Sequence, residues 1–474
     1  MCPHSIGKAT SAFTKFREIV GKESCLIDKE SLELYSRDQT EHLSFFPEIV
    51  LLPSSVEEVS AIMRYCYKEE IMVTPRGAGT GLAGGALPVE GGVVISFEKM
   101  NRILQIDEAN LQVMVEPGVI TEVLQNSVRE KGLFYPPDPS SRGSCFIGGN
   151  IASNSGGPKA VKYGVVKDYV LNLEVVLSNG DVIWTGANVL KNSTGYNLTQ
   201  LIVGSEGTLG LVTKIVLKLL PYPQHDLLML VPFNSLENAG KAVSAIFRAG
   251  FIPSAMELVE IDALKIVSEF LGGSSVPITE GTQAHLLIEV DGNDTEVLAR
   301  DMEGIAGVLE NFECGDIYFA DDASQKEKLW KLRRRVAEAV KIAGFTLEED
   351  TVVPRAQLPA LIVGVKALGV KHGFEVVCYG HAGDGNLHIR IKFPGNENSL
   401  GNNHVKKVLS ELFSLVGSLG GTISGEHGIG LIQKPFLPLV MNHEAIRLQY
   451  AIKQVFDPKG ILNPGKIFDL DSNG

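Results

Sequence analysis

Glycine is gathered into clusters along this chain, and the clusters limit what it can fold into. Of 474 residues 50 are glycine, about a tenth against a usual ~7%, and they crowd into 77–92, 143–164, 204–210 and 380–430. Between them lie short β-branched runs at 93–95, 173–177 and 211–217, so the clusters read as glycine-rich turns carried on strands. Helical signals alternate with these strands. Pro53-Ser54-Ser55 precedes Val56, Val59, Ile62, Met63 and Cys66 at helical spacing, with Glu58 three residues after Ser55, which is a capping box ahead of an amphipathic helix. Pro221 and Pro223 close the apolar run ending at Leu220, and beyond them helical patterns (235–250, 327–343) mix with isolated strands (285–290, 375–379, 387–392). A domain boundary is expected near residue 222.

Several function classes fall away at once. The net charge of −13 disfavours a nonspecific grip on nucleic-acid phosphates. The six cysteines, Cys2, Cys25, Cys66, Cys145, Cys314 and Cys378, never occur as C-x-x-C, so neither a disulfide framework nor an iron-sulfur cluster is written in them. No stretch approaches the ~20 apolar residues of a membrane span, and the chain reads as a cytoplasmic protein of two or three domains.

The first glycine cluster, Pro75-Arg76-Gly77-Ala78-Gly79-Thr80-Gly81-Leu82-Ala83-Gly84-Gly85, formally contains G-x-G-x-x-G. A dinucleotide fold needs a helix to begin there, so that its amide dipoles face the pyrophosphate. Leu87-Pro88-Val89-Glu90-Gly91-Gly92 and another strand follow instead, so the Rossmann reading fails, while a nest of backbone N–H groups for diphosphate oxygens remains open. A second block, Gly148-Gly149-Asn150-Ile151-Ala152-Ser153-Asn154-Ser155-Gly156-Gly157, puts small and amide residues where a core would put Leu and Val. A third, Gly204-Ser205-Glu206-Gly207-Thr208-Leu209-Gly210, opens into a strand. Three such loops favour a large, flat, hydrogen-bonding cofactor over three coincidental turns.

Further on, His381-Ala382-Gly383-Asp384-Gly385-Asn386-Leu387-His388 reads as strand, Asp-Gly turn, strand, and Glu426-His427 lies in a second glycine-rich segment. Histidines flanking such a turn lie ~5 Å apart, and two imidazoles with one carboxylate suit Zn, Fe(II) or Mn. A pair of hydrogen-bonded histidines fits the same spacing equally well. Arg333, in Leu329-Trp330-Lys331-Leu332-Arg333, is either a bidentate carboxylate clamp or part of a solvated basic face.

Together the segments 75–81, 136–141 (P-P-D-P-S-S), 148–157, 204–210 and 463–466 (N-P-G-K) resemble the vanillyl-alcohol oxidase, or PCMH, type of FAD-binding fold. More narrowly they resemble the group formed by D-lactate and D-2-hydroxyglutarate dehydrogenases and the D subunit of glycolate oxidase. The resemblance implies an α+β protein: an N-terminal helical segment (1–40), a two-subdomain FAD-binding domain (41–222), a ferredoxin-like α+β cap for substrate (223–425) and a C-terminal segment returning to the FAD domain (426–474). It implies that Arg76, Gly77, Ala78, Gly79, Thr80 and Gly81 hold the diphosphate. Pro137, Asp138, Ser141, Gly148, Gly149, Asn150, Ser153 and Ser155 would line the ribityl chain and isoalloxazine, with Glu206, Gly210 and Val212 completing the site and Asn463 near the ring. Relatives with covalent flavin usually carry histidine in the first loop; Ala78 and Thr80 stand there, which implies noncovalent FAD.

The same resemblance makes His381, His388 and Glu426 ligands of a divalent metal, His427 the base and Arg333 the carboxylate clamp. One departure bears on substrate. Where the hydroxyglutarate enzymes carry lysine in a K-Y-D segment, this chain has Glu348-Glu349-Asp350, and a glutamate there is expected to repel a second carboxylate. D-lactate or glycolate is thus favoured over D-2-hydroxyglutarate. Arg355 is a weaker substrate-site candidate. The reaction implied is oxidation of a small 2-hydroxy acid, with electrons leaving to an electron-transferring flavoprotein or an iron-sulfur subunit in a hetero-complex or oligomer. The alternatives are a metal-dependent hydrolase whose glycine loops are structural, and a flavin-binding electron-transfer subunit without a substrate of its own.

Overall fold

Valine and isoleucine make up most of the runs 49–51 and 93–95 near the start of the chain, and both are strands. Cys25–Leu26 (β1), Ile49–Leu51 (β2), Val73–Arg76 (β3) and Val93–Ser96 (β4) form a sheet of order β1-β2-β4-β3, with β2 and β3 parallel to β4. β2 and β4 are buried throughout, as parallel strands covered on both faces require. Val56–Glu69 (α1) joins β2 to β3. Ser55 caps it, its side chain accepting from the Glu58 N–H at 3.3 Å, while Glu58 reaches back to the Ser54 N–H at 2.7 Å. Its apolar stripe of Val59, Ile62, Met63 and Cys66 is buried.

The computed structural model describes residues 7–273, 278–320, 322–394 and 402–468; Cys2 lies outside them. Two compact units divide the chain. The first takes the chain up to Ser155, then Val165–Tyr222 and everything from Glu426; the second takes Gly156–Gly164 and Pro223–Gly425. The short segment 156–164 thus goes with the second unit, although it sits inside the stretch read from sequence as FAD-binding domain. Its Lys162 and Tyr163 side chains both donate to Asp291, at 2.6 and 2.7 Å, within that unit.

The first unit also holds an antiparallel sheet of Ile103–Asp107 (β5), Gln112–Val115 (β6), Val170–Val176 (β8), Val182–Trp184 (β9) and Leu211–Lys218 (β10), in the order β5-β6-β10-β8-β9. Leu133–Phe134 (β7) and Leu220–Pro221 (β11) make a small separate ribbon. The short helix Ile147–Ser153 (α2) carries the second glycine block. The chain's closing turn is pinned to these elements. Leu462 bridges to Val73 in parallel, and the buried Lys453 ammonium donates to the carbonyls of Thr208 and Leu462, each at 2.8 Å.

The second unit is built on a seven-stranded antiparallel sheet. Its strands are His225–Phe233 (β12), Ala255–Glu260 (β13), Ala284–Gly292 (β14), Tyr318–Phe319 (β15), Leu347–Val352 (β16), Glu375–Gly380 (β17) and Asn386–Lys392 (β18), in the order β15-β12-β14-β13-β17-β18-β16. Leu236–Arg248 (α3), Ile261–Phe270 (α4), Thr295–Leu309 (α5), Ala323–Ile342 (α6) and Leu358–His372 (α7) pack against it. Leu230, Val259, Leu287, Val377 and Tyr379 from one face of the sheet form a core with Leu329, Leu332 and Val336 of α6. Strand period two puts Glu257 on the same face as Val259, so this acid is carried under α6. Among the described residues no helix is long and apolar enough to cross a membrane.

Candidate functional site

The sequence-predicted site residues fall into two groups, one on each unit. In the first unit, Arg76 ends β3 and the glycine loop follows. The Arg76 guanidinium is buried and lies over the Tyr35 ring at 5.5 Å from the centroid, and its Nη1 has no hydrogen bond among the described residues. Gly79, at φ +70°, takes a left-handed turn over that side chain, where any Cβ would stand 2.1 Å from Arg76 Nη2. A side chain there would have to displace the guanidinium and hold a strained backbone.

The three loops lie against one another. A Cβ on Gly77 would meet Gly149 backbone at 3.6 Å. The Glu206 N–H donates to Ala152 O at 2.9 Å, and Asn463 Nδ2 donates to Gly85 O at 2.9 Å and Glu206 O at 2.7 Å. Several carried-over side chains are engaged within the protein: Asn150 Nδ2 donates to Thr121 Oγ1 at 2.6 Å, the Ser153 and Ser155 hydroxyls lie 2.8 Å apart, and Asp138 faces Arg142 at 3.4 Å. Pro137 receives Gln125 Nε2 on its carbonyl at 2.9 Å, and the Ser141 carbonyl takes the Cys145 N–H at 2.8 Å. Gly210 lacks a side chain because Val175 Cγ1 would stand 2.5 Å from it, and Val212 pairs with Val175 in the sheet. Ala78 and Thr80 fill the remaining loop positions, half-buried.

In the second unit β17 and β18 form the expected hairpin. Tyr379 is the cross-strand partner of His388; His381 lies just past the ladder, yet its ring is edge-on to that of His388 with centroids 5.5 Å apart. The acid that organises the group is Glu257. Its Oε1 is 2.8 Å from His381 Nδ1 and its Oε2 is 2.6 Å from Nη2 of Arg333 on α6. Burial pushes this carboxyl up, but Arg333 and His381 together overcome that and hold it below the usual carboxylate range. Arg333 is itself buried, not on a solvated face, and packs at 5.5 Å over the Tyr379 ring. Its Nε has no hydrogen bond among the described residues, a buried donor that an incoming carboxylate would satisfy. Nearby, Asp384 is raised to about 6 by burial, which the His381 charge only partly offsets.

The repulsion expected from Glu348 is muted. Glu348 is the cross-strand partner of Arg390 and is ion-paired with it, while Arg390 Nε donates to the Tyr379 hydroxyl at 3.2 Å and His388 Nδ1 stands 3.5 Å from Glu348. Asp350 takes the Asn386 amide at 2.6 Å and the Gly425 N–H at 2.9 Å, fixing the residue that immediately precedes Glu426-His427 in the chain. Arg355 stacks on Phe247 at 3.7 Å.

Residues 222–467 match the family described as FAD linked oxidases, C-terminal domain, and residues 47–186 match FAD binding domain. The chain belongs to the FAD-linked oxidases. It is 40% identical over 441 residues to glycolate oxidase subunit GlcD of Bacillus subtilis, covering 93% of both chains. To D-lactate dehydrogenase of Anaerostipes hadrus it is 37% identical over 457 residues, covering 96% of each. The solved structure of p-cresol methylhydroxylase with substrate bound superposes with a TM-score of 0.82 at 19% identity, covering 99% of this chain and 98% of the other, a likeness of fold. This FAD-linked oxidase is an oxidoreductase with the two-part PCMH architecture expected from its glycine blocks.

The loops fit the cofactor. A Cβ on Gly81 or Gly149 would meet nothing within 4 Å, so bare backbone faces open space on both loops, and the buried Arg76 Nη1 is a donor awaiting an acceptor. Sequence reasoning missed Glu257, Tyr379 and Arg390. The available signal was charge in the wrong place: Glu257 sits inside an apolar strand, Ala255-Met256-Glu257-Leu258-Val259, where an acid persists only if paired.

Proposed function

We propose that this FAD-linked oxidase converts a small D-2-hydroxy acid, D-lactate or glycolate, to the 2-oxo acid, using noncovalent FAD and one divalent metal, Zn, Fe or Mn. The single observation that carries the reading is the Arg333–Glu257–His381 chain, which ties a buried carboxylate-binding guanidinium to a candidate ligand imidazole through one acid. FAD, when bound, supplies a two-electron acceptor for the α-hydrogen. The metal supplies a Lewis acid that makes the 2-hydroxyl more acidic.

The chain's own residues do the rest. Arg333 holds the substrate carboxylate in its fork. Glu257 accepts a hydrogen bond from His381 Nδ1–H, the arrangement that fixes a ligating imidazole's tautomer and turns Nε2 toward an ion. His381, His388 and Glu426 are the proposed ligands, a donor set of two imidazoles and one carboxylate that suits a catalytic divalent ion. His427, next in the chain after Glu426, takes the proton from the 2-hydroxyl. The diphosphate is assigned to 76–81, and the Glu348–Arg390 pair favours a substrate with one carboxylate, since the Arg390 charge is already balanced. The names of the relatives support the substrate class.

Electrons leave to a partner protein, an electron-transferring flavoprotein or an iron-sulfur subunit, in the cytoplasm. No C-x-x-C cluster site lies in this chain. The test is anaerobic titration of FAD- and metal-loaded protein with D-lactate, L-lactate and glycolate. Bleaching of the flavin by D-lactate or glycolate is expected; an oxidised spectrum unchanged by all three overturns the reading.

A further inference from the structure

Glu206, in the third glycine loop, lies beside the first loop and the segment after His427: its Oε2 would stand 3.7 Å from a Cβ on Gly85, and both of its oxygens are taken by backbone N–H groups of that segment. Oε1 accepts the Ile429 N–H and Oε2 the Gly430 N–H, both at 2.8 Å. Its backbone is fixed as tightly: the N–H donates to Ala152 O at 2.9 Å in the second glycine block, and the carbonyl accepts from Asn463 Nδ2 at 2.7 Å. The same Asn463 amide reaches Gly85 O in the first glycine loop. Glu206 adopts φ +52°, a left-handed backbone uncommon for a non-glycine residue.

The segment it holds is the one carrying His427. Gly428 is at φ +82°, and a Cβ there would stand 2.8 Å from Glu206 Oε1. Gly430 is at φ +51°, with Ala83 O 2.1 Å from any Cβ, and the Leu431 N–H donates to that same Ala83 O at 2.8 Å. The segment is therefore drawn onto the first glycine loop by Ala83 and onto the third by Glu206. Two N–H donors on two oxygens of one carboxylate allow a single loop position; a carboxamide would turn its NH2 toward one of the two N–H groups.

We propose that Glu206 is a positioning residue for His427, the carboxylate that sets the His427 loop relative to the glycine loops. This rests on the reading of His427 as the base. Three variants are compared, Glu206→Ala, Glu206→Gln and His427→Ala, with flavin reduction measured per bound FAD by rapid mixing with substrate. Backbone amide exchange over 427–431 is followed in the FAD-free protein.

In Glu206→Ala the reduction rate per bound flavin falls about tenfold or more, in the range that misplacing a general base produces. Substrate affinity stays within about threefold, as expected of an interaction outside uniform binding, and the Ile429 and Gly430 amides exchange faster. Glu206→Gln, which preserves volume, falls between that variant and the parent in both readouts and keeps the test open if the alanine variant folds poorly. A purely structural role would lower FAD content while leaving the rate per bound flavin unchanged, and unchanged exchange at Ile429 and Gly430 would also overturn the proposal. His427→Ala keeps the two readings apart. Slow reduction there with normal reduction in both Glu206 variants sinks the positioning role alone, whereas normal reduction in His427→Ala sinks the base assignment and with it this proposal.

Discussion

Nη2 of Arg333 and Oε2 of Glu257 stand 2.6 Å apart with both side chains buried. The same carboxylate meets His381 Nδ1 at 2.8 Å, so one acid orients a guanidinium and an imidazole. Removing a partner from a buried pair leaves an uncompensated charge and costs about 3–5 kcal/mol. Glu257→Gln is expected to lose about that much stability, read as a lower midpoint in thermal or urea unfolding. Replacing the anionic acceptor on a ligating imidazole by a neutral amide weakens metal affinity by about 10–100-fold, read by competition with a chelator. Unchanged metal affinity would remove His381 from the ligand set.

Arg333 and Arg334 are neighbours in sequence with opposite fates. Arg333 is buried over Tyr379, whereas Arg334 is exposed and lies over Trp330. Lysine cannot reproduce a guanidinium fork. Arg333→Lys is expected to raise the substrate KM by about tenfold or more, the loss of a bidentate charged contact, while Arg334→Lys leaves steady-state parameters unchanged. Equal effects at both positions would show that helix surface charge, not the clamp, is being measured.

Glu348 and Arg390 face each other across β16 and β18 beside His388. Glu348→Gln leaves the Arg390 charge unbalanced and gives a second carboxylate something to bind. The ratio of kcat/KM for 2-hydroxyglutarate over D-lactate is expected to rise about tenfold, the size of one recovered charged contact. The variant is also expected to unfold more easily, because Arg390 remains buried. No change in the ratio would place this pair away from the substrate.

Much of this was legible from residue order, because local backbone demands are written locally. The glycine blocks announce turns that glycine makes most easily, as at Gly79 over Arg76, and Ser55 with Glu58 announces the start of α1. The His381–His388 hairpin followed from the Asp-Gly turn between two strands. Glu257 and Arg390 were not legible, because each acquires meaning only through a partner brought by sheet register or by a helix 76 residues away in sequence at Arg333. Glu348 shows the limit in the other direction. As a letter in a motif it reads as a bare negative charge, and in the sheet that charge is balanced by Arg390.

Glu206 holds the His427 loop at a cost in stability that depends on pH. Burial raises its carboxyl to about 7, and the Ile429 and Gly430 N–H groups with Lys466 only partly offset this. In the unfolded chain the carboxyl titrates near its ordinary value of about 4.3. Between those two values the folded state keeps a proton that the unfolded state has lost, so stability declines as pH rises through this window and levels off above about 7. Because Glu206 remains partly exposed, the swing is at most about 3 kcal/mol. Glu206→Gln has no such titration. In FAD-free protein, unfolding free energies of parent and variant measured from about pH 5 to about pH 8 are expected to converge or cross as the parent loses stability. A constant gap across that range would mean that the Glu206 carboxyl titrates outside it, with the N–H donors and Lys466 outweighing burial.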